Sequence, residues 1–358
     1  MLARLYELLR APLFAIDPEI AHWMAIRALR MRVPISNVPQ PDSRLARKLM
    51  GLDFPNPVGV AGGFDKNAEA VDGLFRLGFG FVEVGTVTPQ PQAGNPKPRL
   101  FRLKEDAALI NRLGFNNEGF EVAHRRLAAR TAPGIVGVNI GVNRNSTDRV
   151  ADYVAGIAAF ADIAGYFVVN ISSPNTVGLR DLQAREALRD LLKRTLAARD
   201  EAPRRVPLLV KLAPDLSDGE LAGVAEAIVE AGIDGVIVSN TTTSRSEVAE
   251  ARLAGEKGGL SGRPLFRLST IRLARFRKLV GTDMPIIGVG GVESGESAWA
   301  KFVAGADLVQ LYTGMIYRGP GLPATINRYL ARRLEREGHA SIADIIGIRN
   351  AEWAAEEI

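Results

Sequence analysis

Several stretches of this chain place polar side chains where a run of apolar residues has just ended. Asn139 and Asn170 each lie inside a β-branched run, VGVNIG and FVVNISSPNT, which is a poor place for an amide unless it meets a buried partner. Two asparagines at equivalent positions suggest amides aimed at one flat polar ligand. Ser173 and Asn175 follow shortly after the second of them. Lys211 sits within LLVKLAP, and a lysine there is unfavourable unless a negative charge meets it. Lys66 follows the double glycine of AGGFDK, a backbone that lets a flat ligand approach closely. More amides gather at Asn111–Asn117, read as a turn, and hydroxyls and an amide in SNTT at 239–242. What is missing matters equally. There is no cysteine, and the three histidines (His22, His124, His339) are far apart in sequence. Disulfides, thiolate metal sites, Fe–S clusters and a cysteine base are therefore excluded, no metal is expected, and acid–base chemistry falls to Ser, Thr, Lys, Asp, Glu or Tyr.

These residues need a scaffold, and the pattern around them supplies one. From about residue 57 a short apolar run, a glycine-rich or polar turn and an amphipathic stretch recur eight times. The runs are Pro57–Ala61, Phe81–Gly85, Ile135–Ile140, Tyr166–Ile171, Pro207–Leu212, Gly235–Ser239, Pro285–Val289 and Leu308–Tyr312. They are continuously apolar, as strands buried on both faces are. The helical stretches between them run from Asn67–Leu77 to Ala324–Glu337. Eight such units predict an α/β fold, a (β/α)8 TIM barrel; a doubly wound sheet is the alternative. In a barrel the C-terminal strand ends form the site, and glycine-rich ends on strands seven and eight, here IIGVGG (286–291) and QLYTG (310–314), commonly bind phosphate. A phosphate cradle, two lysines and many amides point to a phosphorylated planar cofactor beside an anionic, amide-bearing substrate. FMN and a pyrimidine carboxylate fit that description.

A barrel takes about 250 residues, which leaves roughly 100 of the 358 for additions. The N-terminal segment reads as two short amphipathic helices: Leu2, Leu5, Tyr6, Leu9 and Leu13 share one face of the first, and Ile20, Trp23 and Met24 one face of the second. Asp17-Pro18 starts the second helix as N-cap and first-turn proline. The stretch 34–41 holds three prolines and reads as a linker, so residues 1–40 form a helical domain before a catalytic barrel at 41–358. Residues 1–50 carry eight cations against four anions, so four of the chain's five net positive charges fall there. A short basic apolar segment suits a membrane surface or an acidic partner better than nucleic acid, although it could equally pack on the barrel. No apolar run reaches the ~20 residues needed to span a bilayer, and no signal peptide is visible.

Taken together, AGGFDKN (61–67), EVGTVTPQPQ (83–92), PRLFRL (98–103), NRLGFNN (111–117), NISSPNT (170–176), VKLAPD (210–215), SNTT (239–242), GGLSGRPL (258–265), IIGVGG and QLYTG resemble dihydroorotate dehydrogenase, and more closely its membrane-associated, quinone-dependent class. Ser173 stands where the soluble classes have a catalytic cysteine, and the N-terminal extension is present. The resemblance implies oxidation of dihydroorotate to orotate in pyrimidine biosynthesis, with FMN and a membrane quinone. It implies that FMN is held by Gly62, Gly63, Phe64, Asp65, Lys66, Thr86, Asn139, Asn170, Lys211, Ser239, Gly262, Gly291, Tyr312 and Thr313. It implies that the substrate meets Lys66, the turn Asn111, Arg112, Leu113, Gly114 and Phe115, and Asn170, Asn175, Asn240 and Thr241. Ser173 would be the base, with Thr176 or a water as its relay, and His22, Arg102 and Tyr312 would line the quinone site. A monomer bound peripherally to the cytoplasmic side of the cell membrane is expected. Rival readings are weaker. A glycolate-oxidase-like barrel wants a strand-end histidine, a dihydrouridine-synthase-like enzyme wants a cysteine acid, a Schiff-base aldolase would be colourless, and a plain binding protein would not need Ser173 beside an amide cluster.

Overall fold

In the computed structural model, which describes residues 2–31 and 42–358 (2–5 and 251 without side chains), the eight runs become eight parallel strands. They are Val58–Asp65, Phe81–Val87, Ile135–Ile140, Tyr166–Asn170, Leu208–Leu212, Gly235–Val238, Ile286–Val289 and Leu308–Leu311, and the last pairs with the first to close a barrel. The doubly wound alternative is thereby excluded, because a closed sheet has no edges and no switch point. The expected linker 34–41 and the boundary at 40/41 lie outside the described residues.

Apart from a few polar residues such as Glu83, Asn139, Asn170, Lys211 and Gln310, the strands are apolar because helices cover their outer face while side chains fill the interior. Phe81, Tyr166, Val168, Leu209, Ile237, Ile287 and Leu308 pack with Phe54 into an inner core at the N-terminal end of the barrel. Phe54 comes from an antiparallel hairpin, Arg47–Leu49 with Leu52–Phe54, that sequence patterning does not announce. Its turn, Met50-Gly51, has positive φ at both residues, 54° and 75°. The ring of Phe54 meets Phe81 edge-on at 5.3 Å and plugs the barrel bottom.

At the opposite end a three-stranded antiparallel sheet, Leu100–Leu103, Ala108–Asn111 and Gly259–Gly262, lies beside the mouth over its own small core of Leu103, Ala108, Ile110 and Leu260. Asn111 thus ends a strand, where the sequence reads as a turn. The first helix after the barrel opens also starts late, at Val71 instead of Asn67. Asp65 explains this: its carboxylate accepts from the Glu69 and Ala70 amides (2.8 and 2.7 Å), holding 66–70 in a non-helical turn.

The helix pair Leu2–Ala15 and Pro18–Arg30 is tied to this end of the barrel by a few polar contacts. Arg99 grips Glu19 (3.1 Å through Nε), Arg102 donates to the Ile16 carbonyl (2.7 Å), Arg76 to that of Leu29 (3.0 Å), and the Tyr6 hydroxyl to that of Ile316. Ile26 is buried, but Leu8, Ile20, Trp23 and Met24 stay exposed, Leu8 by 78% and Trp23 by 59%. No described helix is long and apolar enough to cross a membrane.

Candidate active site

A cavity open to solvent lies at the C-terminal ends of the barrel strands beneath the antiparallel sheet. Most of the residues singled out in the sequence converge on it: Gly62, Gly63, Lys66, Thr86, Asn111, Leu113, Gly114, Phe115, Asn170, Ser173, Asn175, Lys211, Ser239, Asn240, Thr241, Gly262, Gly291, Tyr312 and Thr313 all contribute to its wall.

Its floor is organised by a carboxylate that the sequence reading passed over. Glu83, on the second strand and 0% exposed, accepts from Asn139 Nδ2 and Gln310 Nε2 (both 2.7 Å) and from the Tyr166 hydroxyl (3.4 Å). It also stands 3.6 Å from Lys211 Nζ. The negative charge required by a lysine inside strand five is therefore protein-borne. Glycine is required at 62 because a Cβ there would sit 2.4 Å from Glu83 Oε1. The signal was present, since a glutamate inside FVEVG is as anomalous as the lysine inside LLVKL.

Above this floor the amides bond to one another. The Thr86 hydroxyl donates to Asn139 Oδ1 (2.5 Å), and Asn170 Nδ2 donates to Thr86 Oγ1 (2.9 Å) and Asn139 Oδ1 (3.2 Å). Asn240 Nδ2 donates to Ser172 Oγ (2.9 Å) and Asn170 Oδ1 (3.3 Å). Asn139 is fully buried in this layer and does not reach the cavity. Ser173 does reach it, buried but facing inward, with its Oγ accepting from the Asn175 amide (3.3 Å). Asn175 Nδ2 donates to Asn111 Oδ1 (3.0 Å), so the loop after strand four and the antiparallel sheet share one polar contact at the rim. Among the described residues Thr176 makes no hydrogen bond to the Ser173 hydroxyl.

Lys66 Nζ donates to Asn116 Oδ1 (2.9 Å). Burial, and then the charge of Arg99, pull it down to about 7, against the opposing pull of Glu19. Asp65 turns away into its capping bonds, and burial pushes it up to about 6. Arg112 also turns away, donating to Glu256 Oε2 (2.7 Å) and stacking over Phe101. At the ends of strands seven and eight Gly290, Gly291, Tyr312, Thr313 and Gly314 flank the cavity, and the Thr313 and Ser261 hydroxyls bond at 2.9 Å.

One wall connects to the helix pair. Phe64 lies edge-on to both His22 and Tyr312, at 5.3 Å each, and the Tyr312 hydroxyl is 3.5 Å from His22 Nδ1. Burial, with the Lys66 charge behind it, pulls His22 down to about 4, so the ring is neutral at pH 7. Burial likewise lowers Arg102, which lies over the Phe14 ring at 5.0 Å.

Comparison with known proteins agrees with this geometry. The family described as dihydroorotate dehydrogenase matches residues 44–334. A protein of Brucella ovis named dihydroorotate dehydrogenase (quinone) is 56% identical over 99% of both chains, and one from Brucella melitensis is 55% identical over the same shares. Among solved structures, the Eimeria tenella enzyme in complex with ferulenol superposes with a TM-score of 0.88 at 40% identity, covering 93% of this chain and 95% of that one. Its ligand-free form gives 0.89 at 39%, covering 93% and 99%. All eight barrel strands fall inside the family match and the helix pair inside the full-length alignments, so the chain belongs to the dihydroorotate dehydrogenase family.

Proposed function

We propose that this protein oxidises dihydroorotate to orotate in the cavity, with FMN as its cofactor and a membrane quinone as final acceptor, in pyrimidine biosynthesis. The observation that carries the reading is Ser173 facing the cavity together with Asn111, Asn170, Asn175, Asn240, Lys66 and Lys211. The cavity also suits a flat phosphorylated ring. Gly63 has φ 106° and nothing within 4 Å of where its Cβ would be, so any side chain there would stand in the ligand's space. Gly262, Gly291 and Thr313 would take the phosphate, and Lys211 the far edge of the ring system. When bound, FMN supplies the acceptor for the hydride leaving C6 of the substrate and a route for its electrons to the quinone.

The chain's own residues do the rest. Ser173 removes the C5 proton. A serine hydroxyl is a weak base, so it needs a partner; with Thr176 unbonded to it, a water is the better relay. The asparagines offer both donors and acceptors to the ring amides. Lys66, pulled down to about 7, regains its charge when the substrate carboxylate arrives. Glu83 holds the Lys211 ammonium at the floor, where it can offset negative charge developing on the ring.

The exposed apolar faces of the helix pair support insertion into lipid, and the basic character of the segment supports contact with anionic headgroups. His22, Arg102 and Tyr312 then border the quinone's path, and the protein works as a monomer bound peripherally to the cytoplasmic side of the cell membrane. Anaerobic titration of the purified, yellow protein tests the reaction: dihydroorotate bleaches the flavin spectrum and a quinone restores it. A spectrum unmoved by dihydroorotate would overturn the proposal.

A further inference from the structure

Arg180 opens the short helical turn Arg180–Gln183 after strand four and takes no part in the cavity wall. Its guanidinium nevertheless touches three strand-end loops at once. Nε donates to the Ser172 carbonyl (3.1 Å), Nη1 to Asp215 Oδ2 (2.8 Å) and Nη2 to the Thr241 carbonyl (3.0 Å). Asp215 also accepts from the Thr242 hydroxyl and, at 3.2 Å, from the Thr243 amide, which fixes the loop after strand six to the one after strand five.

Ser172 is 0% exposed and directly precedes Ser173. Its hydroxyl and amide donate to Asn170 Oδ1 (3.1 and 3.4 Å), and two further groups hold it from outside its own strand end. Asn240 donates to its hydroxyl (2.9 Å), while Arg180 holds its carbonyl. Arg180 grips the Thr241 carbonyl in the same fork, so one planar group spans the serine loop and the Asn240–Thr241 loop. A planar guanidinium serves several acceptors at fixed angles, whereas a lysine ammonium is a point charge on a flexible stem.

We propose that Arg180, locked by Asp215, is a positioning residue for the reaction, setting the spacing between Ser173 and the Asn240–Thr241 pair. This rests on the function proposed above. A brace that merely held loops together would lower thermal stability and leave the two half-reactions in their usual ratio. A positioning residue slows only the step at Ser173.

The test uses full-length, flavin-loaded Arg180→Lys, Arg180→Gln and Asp215→Asn. Anaerobic stopped-flow follows reduction by dihydroorotate and, separately, reoxidation by a quinone of protein reduced with dithionite. Reduction should fall roughly tenfold in Arg180→Lys and up to about 10²-fold in Arg180→Gln, the scale of an ångström-sized misplacement. Asp215→Asn should fall less, in the same direction. Reoxidation should stay at the wild-type rate in all three. If Arg180→Gln does not fold, the two milder variants decide. Wild-type reduction rates in both, or equal losses in the two half-reactions, would overturn the assignment. A wild-type protein that dihydroorotate does not reduce would be a different result, overturning the reaction itself.

Discussion

In the barrel, Val, Ile and Leu are hidden on both faces of eight strands, and the polar residues left at the strand ends converge on one cavity. In the helix pair, similar apolar residues point outward: Leu8, Leu9, Ile20, Trp23 and Met24 are all exposed. The barrel closes on its own core, whereas the pair joins it through a few apolar contacts, buried Ile26 with Leu29, Phe14 against Tyr317 and His22 against Phe64, and through polar ones such as Arg99–Glu19 and Arg102–Ile16. Burying a large apolar side chain is worth about 1.5–3 kcal/mol, and these five side chains leave that stabilisation unrealised, which fits the membrane contact proposed above. The difference suggests a division of labour, with substrate oxidation in the barrel and access to an apolar acceptor through the helices.

That division can be attacked from the barrel side first. Ser173→Ala should leave the flavin bound and slow its reduction by dihydroorotate about 10²–10⁴-fold, the usual worth of a positioned base. Stopped-flow traces within about threefold of wild type would remove Ser173 from the role.

The next largest effect is expected at Lys66. Lys66→Ala should weaken orotate binding by roughly 10–100-fold, since hydrogen bonds to charged groups contribute about 1.5–3 kcal/mol. Its depressed value, about 7, also sets a pH dependence. Below pH 7 the amine is charged and meets the carboxylate; above pH 7 it must first gain a proton. Wild-type affinity for orotate, read from the flavin spectrum, should therefore decline as pH rises through 7, and the variant should lose that slope. An unchanged slope would point to another group.

The barrel was legible from the chain because its strands are buried on both faces and their runs are unbroken. The cavity residues were legible because polar groups at strand ends contradict the apolar runs that carry them. Other parts left no local signal. Gly259–Gly262 pairs with Ala108–Asn111 across a long stretch of chain, and four-residue strands have no period to read. The basal hairpin turns on Met50-Gly51 instead of the Asn-Gly or Asp-Gly pairs that announce such turns. Arg180 looks like any loop arginine until Ser172, Asp215 and Thr241 are brought to it by three different strands. Glu83 is the one omission the sequence could have prevented, by the argument that found Lys211.

A smaller effect is expected from the helix side. Trp23→Asp, on the exposed face of the second helix, should reduce co-sedimentation with anionic vesicles several-fold, since it replaces a large exposed apolar side chain, free to enter lipid, with a charge. Reduction by dihydroorotate should not change. Vesicle binding equal to wild type would place the membrane contact elsewhere.

The most direct test compares the full chain with one lacking residues 1–40, once circular dichroism and flavin content show that the shortened protein is folded. Both are assayed with dihydroorotate and either a long-tailed quinone in liposomes or a water-soluble acceptor. The account predicts that the shortened protein keeps its flavin, its reduction by dihydroorotate and its turnover with the soluble acceptor, while losing vesicle binding and rapid turnover with the long-tailed quinone. Equal losses with both acceptors would mean that the helices only support the barrel, and would contradict the division of labour.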